Sequence, residues 1–325
     1  MKKSVSKVQE ILKKTLDAKG APEILYQASR HLTLAGGKML RPFLVIKSCE
    51  LVGGREEDAL PSAAALELLH TFTLIHDDVM DNDAIRRGVP TVHAKWGMPI
   101  AIVAGDLLFS KVYEIVLGRT DRKHISSERI LWILDRLTQA TIKVCEGQIL
   151  DVTFPNLEKV SENDYIVMVA KKTSELFKAA AEIGGLVGGA TPVEVERLGK
   201  FAFNAGLGFQ ITDDLLGLTA EEKDLGKPVG SDLREGKKTL PIIHALQHAT
   251  EEKRKLILKA LNRTLTPVEV SQIREIVHEM GSIEYSVLKA KKYIQSGIDE
   301  LQRFPNNETR RVLEEFTKLL VDRKF

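Results

Sequence analysis

The sequence predicts an all-α protein. Its apolar residues recur at spacings of three and four, which places them on one face of a helix, and alternating strand-like runs are scarce. Breaks that contain glycine and proline separate these periodic segments. One apolar stripe consists of Ala65, Leu68, Leu69, Phe72, Ile75 and Val79, and another of Ile130, Ile133, Leu134 and Leu137. About ten or more helices are therefore expected.

The first half of the chain predicts helices with definite ends. Residues 1–14 carry lysines and a glutamate through their apolar positions, which is typical of an amphipathic helix and not of a signal peptide. Gly53 and Gly54 are expected to end the helix that follows Arg41. The segment 87–90 contains a glycine and a proline and is expected to break the helix that carries Asp77.

The second half predicts helices of the same kind. The segment 225–230 contains two glycines and a proline and is expected to end the helix that carries Asp213. It opens a loop that runs to Pro241, which suits the first position of a new helix. Charged amphipathic helices follow from Thr250 onward. No linker, low-complexity tract or repeat of about 20 to 50 residues divides the chain, so one domain over residues 1–325 is expected.

The composition is that of an ordinary globular protein. The chain has 47 basic and 45 acidic residues and a formal net charge of +2, so no overall field favours nucleic acid as a partner. No uncharged apolar run approaches the roughly 18 residues that a transmembrane helix needs. Cys49 and Cys145 each lie in an apolar helical context, which favours buried free thiols over a disulfide and predicts a cytoplasmic location.

An aspartate-rich segment carries the strongest chemical signal. At about 100° per residue, Asp77 and Asp81 lie roughly 40° apart on one helix face, and His70 falls between them. Asp78 lies beside them within an apolar stretch, where unpaired carboxylates are costly. Oxygen ligands of this kind suit Mg²⁺, which keeps several waters and is completed by substrate phosphates. The segment therefore predicts a diphosphate that is bound through magnesium.

Cationic residues lie on both sides of this segment. Lys38 and Arg41 follow a glycine pair and converge from the start of a helix, where the amide dipoles also favour an anion. Arg86 and Arg87 follow the aspartates, and guanidinium groups bind phosphate in a fork geometry. Phosphate binding is one interpretation. A solvated loop and a helix end with surface charges are the alternatives when each segment is taken alone.

A second polar group surrounds Asp213 and Asp214. Gln210 is the i,i+4 neighbour of Asp214 on one helix face, and Lys172 and Thr173 form another short polar segment earlier in the chain. Taken singly, these are ordinary residues of a helix surface. The segment 226–238 has the glycines and lysines of a phosphate-binding loop, but its spacing and the lack of a preceding strand exclude a Walker A loop.

Taken in chain order, these segments resemble the trans-isoprenyl diphosphate synthases of the polyprenyl synthetase family. The resemblance covers roughly residues 20–245 and rests on segments 36–42, 67–88, 105–106, 147–148, 172–173, 209–214 and 226–237. It implies an all-α isoprenoid synthase bundle with the two aspartate segments facing each other across a central cavity. It also implies about three bound Mg²⁺ ions and a homodimer. The implied reaction is the Mg²⁺-dependent head-to-tail condensation of isopentenyl diphosphate with an allylic prenyl diphosphate.

The resemblance implies a role for each candidate residue. The metal ligands would be Asp77, Asp81 and Asp213, supported by Asp78 and Asp214, and Lys172 would join these five in the catalytic set. The allylic diphosphate would be held by Arg86, Lys172, Thr173, Gln210, Lys227 and Lys237. Isopentenyl diphosphate would be held by Lys38, Arg41, His70 and Arg87.

The second aspartate segment departs from the family pattern. Gly217 stands where a third aspartate normally stands, four residues after Asp213. A carboxylate at that position could reach the same metal ion or its water shell. We expect Asp213 still to bind an ion and the missing group to act from outside its first ligand sphere.

Product length is expected to depend on Phe72, five residues before Asp77. A bulky residue there closes the floor of the elongation pocket in the family, and the arrangement resembles archaeal-type geranylgeranyl diphosphate synthases, which make a C20 product. Helix geometry alone places Thr73 more nearly beneath Asp77, so Phe72 as simple core packing is the alternative. Farnesyl (C15) and geranylfarnesyl (C25) diphosphate are the alternative products.

Two rival functions follow from the same sequence. A class I terpene cyclase also ionises allylic diphosphates at aspartate-rich helices, but it has no use for a second diphosphate site. A regulatory subunit of a heteromeric prenyl synthase would be non-catalytic, and such subunits commonly lose the acidic motifs. The first aspartate segment is intact here, which favours an enzyme.

Overall fold

The structure, a computed structural model, describes residues 2–17, 22–219, 231–261 and 265–322. These residues are almost entirely helical, so the predicted all-α class is confirmed. The helices are α1 (Lys2–Thr15), α2 (Glu23–Leu34), α3 (Leu40–Leu51), α4 (Glu56–Met80), α5 (Val92–Trp96), α6 (Met98–Arg119), α7 (Ser127–Thr153), α8 (Glu162–Val169), α9 (Glu175–Gly188), α10 (Pro192–Thr219), α11 (Ser231–Arg234), α12 (Leu240–His248), α13 (Glu251–Ala260), α14 (Pro267–Glu279), α15 (Ser282–Leu301) and α16 (Glu308–Leu319).

Three short elements interrupt this series. β1 (Ile85–Arg86) and β2 (Val89–Pro90) pair antiparallel in a two-stranded ribbon. A 3₁₀ turn (Phe154–Asn156) follows α7, and a π-helical turn (Ala170–Ser174) joins α8 to α9. Both the ribbon and the π-helical turn lie in segments that the sequence singled out as candidate phosphate-binding residues.

Side-chain caps explain several helix starts. Ser161 and Asp164 form a capping box at the start of α8, and Thr266 and Glu269 form another at the start of α14. In each box the hydroxyl accepts from a backbone N–H and the carboxylate accepts from the N-cap N–H, so two otherwise unpaired donors are satisfied. Thr250 caps α13 by accepting from the backbone N–H of Lys253.

Most predicted helix ends are confirmed. α3 ends just before Gly53, whose φ of +90° is a conformation that glycine adopts without strain. α4 ends at Met80, and the ribbon then carries the chain through the predicted break. α10 ends at Thr219, and residues 220–230 lie outside the described part. Pro241 is the second residue of α12 and not the first, because Leu240 begins that helix.

The contacts divide the chain into two compact units. The first consists of Met1–Ile142, Leu176–Ala202 and Glu300–Leu313. In it α4 packs along α6, α1 and α3 also pack on α4, and α2 and α5 pack on α6. The predicted stripe on α4 is largely buried, including Ala65, Leu68, Leu69 and Ile75.

The second unit consists of Lys143–Glu175, Phe203–Asp299 and Glu314–Phe325. One apolar cluster joins the end of α10 to α11, α12, α13 and α14. Its buried members are Leu218, Leu233, Ile242, Ala245, Ile257, Ala260, Leu261, Ile273, Ile276 and Val277. The expectation of a single domain over residues 1–325 stays a prediction.

The two cysteines differ in a way that the sequence did not predict. Cys49 is buried, as expected, and burial raises the pKa of its thiol to about 12. Cys145 is exposed, so the prediction of a buried thiol is wrong there. It lies on the outward face of α7, where a helical context alone does not decide which face packs. Both thiols are free.

No helix within the described ranges is both long enough and apolar enough to cross a membrane. This agrees with the charged residues that interrupt the apolar stripes.

We expect Gly184→Ala to destabilise the first unit, because α9 approaches α3 at this glycine. A Cβ there would lie 2.2 Å from the carbonyl oxygen of Val45 and 2.8 Å from Cβ of Ser48, so the helices would have to separate. The free energy of unfolding in urea should fall by about 1 to 3 kcal/mol.

Gly118→Ala is the matched control, since a Cβ on Gly118 in α6 would meet no atom of the described residues within 4 Å. Alanine should there raise the free energy of unfolding by up to about 1 kcal/mol. Equal effects at Gly184 and Gly118 would contradict close packing of α9 on α3.

Candidate active site

The first aspartate segment lies at the carboxyl end of α4. Asp77 is in the last turn, and Asp81 is the C-cap residue with helical dihedral angles. The backbone N–H of Asp81 donates to the carbonyl oxygen of Asp77 at 2.8 Å, so the i,i+4 relation continues past the helix end. The two side chains thus start from one face of α4, as the sequence predicted.

Asp78 has a different environment from its neighbours. Its side chain is 1% exposed, and one carboxylate oxygen accepts a short hydrogen bond from Nε of Arg86. Its other oxygen, Oδ2, is buried and accepts no hydrogen bond from the described residues. Burial raises the pKa of Asp78 to about 6, although Arg86 opposes the rise. Asp78 therefore anchors Arg86.

The β ribbon brings Arg86 back to α4. Its turn uses left-handed residues, Arg87 with φ of +54° and Gly88 with φ of +74°, as a tight two-residue connection requires. The guanidinium of Arg86 also lies 3.4 Å from Oδ2 of Asp83. Two carboxylates thus hold this arginine beside the end of α4, and the sequence did not predict that pairing.

A half-buried charged cluster lies on the N-terminal side of Asp77. Nη1 of Arg41 donates to Nε2 of His70 at 3.1 Å, and the Arg41 guanidinium lies 4.9 Å from the centre of the Phe177 ring. Arg87 lies 3.8 Å from Glu67. The structure thus brings together three of the residues predicted to bind isopentenyl diphosphate, namely Arg41, His70 and Arg87.

Burial governs the charge states in this cluster. Burial, and then the charge of Arg41, lower the pKa of His70 well below its ordinary value, so the imidazole is neutral. Because an arginine cannot accept, Nε2 of His70 is the acceptor and its proton lies on Nδ1. Burial also lowers the pKa of Arg41 to about 10, which still leaves it charged at pH 7. The guanidinium groups of Arg41 and Arg87 both interact with the carboxylate of Glu67.

The glycine pair has a steric role beside this cluster. A Cβ on Gly37 would lie 2.9 Å from Cζ of Arg87, so the backbone at this position lies directly against the guanidinium. Lys38 follows and is exposed, and Arg41 is the second residue of α3. The predicted helix start after Lys38 is confirmed.

Glu67 is a member of this cluster that the sequence interpretation left without a role. It is 2% exposed, and burial raises its pKa although Arg87 and Arg41 oppose the rise. Its signal in the sequence is a single acid within an apolar run of α4. Buried acids of that kind are rare unless they are paired.

In the second unit, Lys172 and Thr173 lie in the π-helical turn. A Cβ on Gly147 in α7 would lie 2.3 Å from the backbone nitrogen of Lys172, so the widened turn packs directly on α7. Nζ of Lys172 donates to Asp151 at 2.6 Å, and Nζ of Lys237 lies 3.6 Å from the same carboxylate. Burial opposes ionisation of Asp151, but the two lysines lower its pKa overall.

A chain of hydrogen bonds connects this turn to α10. The hydroxyl of Thr173 donates to Gln210 at 2.8 Å, and Nε2 of Gln210 donates to Asp214 at 2.7 Å. The hydroxyl of Tyr165, a fully buried residue of α8, donates to the other oxygen of Asp214 at 2.6 Å. Asp214 is thus held from two sides. The sequence did not predict Tyr165, because only the tertiary fold brings it to α10.

Asp213 and Asp214 therefore differ although they are adjacent. Asp213 is exposed, whereas burial, and then the charge of Asp232, raise the pKa of Asp214 to about 7. An exposed carboxylate can bind a cation, and a half-buried one that is fixed by two donors can orient its surroundings. Lys227, the remaining predicted residue, lies outside the described residues.

Among the described residues, one group of metal-ligating side chains has its ligand atoms close together. Asp58, Asp121 and His124 offer three such atoms within 4.8 Å of one another. None is a predicted magnesium ligand, and Arg55 already donates to both oxygens of Asp58. This group is explained as a surface ion-pair network.

Comparison with known proteins gives a consistent result. The family model described as polyprenyl synthetase matches residues 22–280. A geranylgeranyl diphosphate synthase of Sulfolobus acidocaldarius is 43% identical over 300 residues, which is 92% of this chain and 89% of that protein.

Solved structures that resemble this chain have names from the same family of enzymes. A geranylgeranyl pyrophosphate synthetase from Pyrococcus horikoshii superposes with a TM-score of 0.93 at 39% identity, covering 99% of this chain and 97% of that one. A geranylgeranyl pyrophosphate synthase from Corynebacterium glutamicum, solved with isoprenyl diphosphate and magnesium, gives 0.90 at 26% identity and covers 98% of each chain.

Without metal, we expect the folded protein to lose stability as the pH rises from about 4 to above 7. An unfolded aspartate has a pKa of about 3.9, whereas those of Asp78 and Asp214 are about 6 and about 7. The folded state holds these protons more tightly, so their stabilising effect is complete at low pH and is lost as the pH rises through 6 to 7.

Asp214→Asn should remove part of this decline, on the order of 2 to 4 kcal/mol between pH 4.5 and 8. Urea unfolding in EDTA at several pH values measures it. Asp135→Asn is the control, because Asp135 is exposed on α7. An unchanged pH dependence in Asp214→Asn would show that Asp214 does not titrate as described.

Proposed function

The chain belongs to the polyprenyl synthetase family and is a prenyltransferase, and from that membership we propose its reaction and product. It joins isopentenyl diphosphate head-to-tail to an allylic prenyl diphosphate and stops at geranylgeranyl diphosphate. Members of this family use isoprenyl diphosphates and Mg²⁺ held by carboxylates. The alternative products are C15 and C25.

One observation carries the proposal of condensation, namely the half-buried cluster of Arg41, His70 and Arg87. Arg41 and Arg87 are partly withdrawn from water, and an added anion between them would offset the cost of that burial. A diphosphate supplies the missing negative charge, and Nδ1–H of the neutral His70 is a donor for it. Lys172, Thr173 and Gln210 belong to a second set of hydrogen-bonded donors, so two diphosphates each have donors of their own.

The second diphosphate argues against the rival functions. A terpene cyclase ionises one diphosphate and has no need of a second set of cations. A non-catalytic subunit has no need of aspartates that are both paired and presented at a helix end. We therefore favour a catalytic synthase that binds isopentenyl diphosphate through Lys38, Arg41, His70 and Arg87.

The carboxylates fit Mg²⁺. Asp77, Asp81 and Asp213 offer hard oxygen ligands, and Asp78 keeps a buried oxygen without a hydrogen-bond partner among the described residues. When bound, the ions neutralise charge on the departing diphosphate. We propose Asp77, Asp81 and Asp213 as the ligands of about three Mg²⁺ ions, the number expected for this family.

The chain's own residues supply the rest of the chemistry. Arg86, locked by Asp78, and Lys172 and Lys237, grouped around Asp151, offer fixed positive charge for the allylic diphosphate. We propose that Thr173 and Gln210 orient it, and that Lys227 contributes as well. The allylic C–O bond breaks as positive charge develops on carbon, and the alkene of isopentenyl diphosphate attacks. The diphosphate leaves with the electron pair of the C–O bond and accepts the proton that the condensed cation loses, so the product is a chain that is five carbons longer.

Packing around Phe72 supports a limit on product length. The centre of the Phe72 ring lies 4.8 Å from that of His76 and 5.2 Å from that of Phe109 in α6. The ring centres of Phe109 and Tyr113 are 5.3 Å apart. The hydroxyl of Thr73 donates to the carbonyl oxygen of His70 within its own helix. Five residues place Phe72 about 7.5 Å along α4 from Asp77. We propose that Phe72 closes the pocket and that Thr73 does not.

We also propose a homodimer and a cytoplasmic location. α6 exposes Ile102, Val103 and Leu117, and exposed apolar side chains on one helix suit contact with a second copy. The two free cysteines suit a reducing compartment.

We expect Asp77→Asn and Asp81→Asn to lower turnover at saturating Mg²⁺ at least about a hundredfold. Each substitution removes a charged ligand without changing the side-chain shape. Product formation is measured with isopentenyl diphosphate and an allylic diphosphate as substrates. Thermal unfolding is measured in EDTA, and the midpoint temperature should not fall. Asp135→Asn is the matched surface control.

Two outcomes would oppose the proposal. More than a tenth of the original turnover in either variant would exclude these residues as metal ligands. Product from the allylic substrate alone, without isopentenyl diphosphate, would favour a cyclase.

We expect Phe72→Ala to shift the product from C20 to C25 or longer, because removing the ring leaves an apolar space that accepts another isoprene unit. Mass spectrometry of the dephosphorylated prenyl alcohols measures chain length. Thr73→Val is the control and should leave chain length unchanged. The opposite pattern, with Thr73→Val altering the product, would make Thr73 the residue that measures the chain.

A further inference from the structure

Lys238 is a buried lysine to which the proposed reaction gives no role. The residue is 7% exposed, and its Nζ donates to the main-chain carbonyl oxygens of Phe154 at 3.1 Å and of Pro155 at 3.2 Å. Within the described residues no carboxylate pairs with it, and burial lowers its pKa. Lysines are rarely buried unless an acid pairs with them. The place of this side chain therefore needs an explanation other than a salt bridge.

The two carbonyl oxygens belong to the 3₁₀ turn that continues the carboxyl end of α7. Asp151 lies in the last turn of α7, three residues before Phe154. Carbonyl groups at a helix end carry partial negative charge, which favours a cation beside them. Lys238 thus holds the segment between α11 and α12 against the end of α7.

The preceding lysine is directed to the same helix end. Nζ of Lys237 lies 3.6 Å from Asp151, which also accepts from Lys172 at 2.6 Å. The backbone N–H of Lys237 donates to the carbonyl oxygen of Asp232 at 2.8 Å, so the turn after α11 fixes one side of this residue. Lys238 fixes the other side. The main chain at Lys237 is thereby held at both ends, which limits how far its ammonium group can move from Asp151 and Lys172.

The bonds that Lys238 makes contribute little to stability. The carbonyl oxygen of Phe154 also accepts from the backbone N–H of Leu157 at 3.1 Å, so it keeps a partner without the lysine. The bond to Pro155 is only partly buried, so water can replace the donor. Removing a buried ammonium group also removes its desolvation cost. The fold should therefore tolerate an apolar side chain of similar length at this position.

We propose that Lys238 is a positioning residue for the allylic diphosphate and that it acts through Lys237. By anchoring its segment to the end of α7, it places the ammonium group of Lys237 where the diphosphate needs positive charge, and it contacts no substrate itself. A misplacement of about 1 Å is enough to weaken such an interaction strongly. This role rests on the proposed function, in which Lys237 binds the allylic diphosphate.

The test compares Lys238→Met, Lys238→Arg, Lys237→Met and the double variant Lys237→Met/Lys238→Met. Steady-state kinetics at saturating Mg²⁺ give kcat and a separate KM for the allylic diphosphate and for isopentenyl diphosphate. Thermal unfolding in EDTA measures stability. Lys291→Met is the matched control, because Lys291 is an exposed lysine of α15 in the same unit.

We expect Lys238→Met to raise KM for the allylic diphosphate about tenfold and to leave KM for isopentenyl diphosphate within about twofold. Its unfolding temperature should stay within about 3 °C of that of the unmodified protein. Lys238→Arg should recover most of the loss, because a guanidinium group can also donate to both carbonyl oxygens. In the Lys237→Met background, Lys238→Met should barely change the KM for the allylic diphosphate further, because the group that it positions is absent.

Three results would overturn this role. An unchanged KM for the allylic diphosphate in Lys238→Met would show that the anchor is not needed. Equal rises in both KM values, together with a fall in unfolding temperature, would make Lys238 a structural residue only. Independent, additive effects of the two substitutions would exclude action through Lys237. The proposed function fails separately, if the unmodified protein forms no product from the two diphosphates.

Discussion

The pairing of Asp78 with Arg86 is the interaction on which the geometry of the first site depends. A carboxylate that is 1% exposed at the end of a helix needs a counter-charge, and the β ribbon supplies one by turning the chain back so that Arg86 reaches Asp78. The ribbon also positions Arg87 against Gly37 and Glu67. One buried charge thus organises the helix end, the turn after it and the cationic cluster.

Both aspartate segments divide the work between neighbouring residues in the same way. In each pair the second aspartate accepts hydrogen bonds from other side chains, Asp78 from Arg86 and Asp214 from Tyr165 and Gln210. The first of each pair, Asp77 or Asp213, keeps more contact with solvent. A helix turns about 100° per residue, so adjacent carboxylates necessarily point in different directions. In a pair of adjacent aspartates, one carboxylate is therefore more accessible to solvent, and the other fixes its helix through bonds to neighbouring side chains.

The sequence predicted the features that follow from local periodicity. The helical class, the end of α3 at Gly53 and the shared face of Asp77 and Asp81 all depend on neighbours a few residues away. The fold fixes the rest. Tyr165 reaches Asp214 and Lys238 reaches the end of α7 only through packing of distant segments, and the exposed side of Cys145 depends on which face of α7 is covered. The ordered succession of motifs indicated the polar residues of the site, but not their hydrogen-bond partners.

The π-helical turn at Ala170–Ser174 makes the site sensitive to the count of residues as well as to their identity. Such a turn holds one residue more than an α-helix of the same length. Deleting any one of these five residues would let α8 and α9 merge into a regular helix. The helices before and after the turn would keep their relative orientation, because the turn had absorbed the extra residue, but the side chains within it would change direction. Relatives that align with residues 170–174 without a gap keep the extra residue. A relative with a one-residue gap there would orient its equivalent of Lys172 differently.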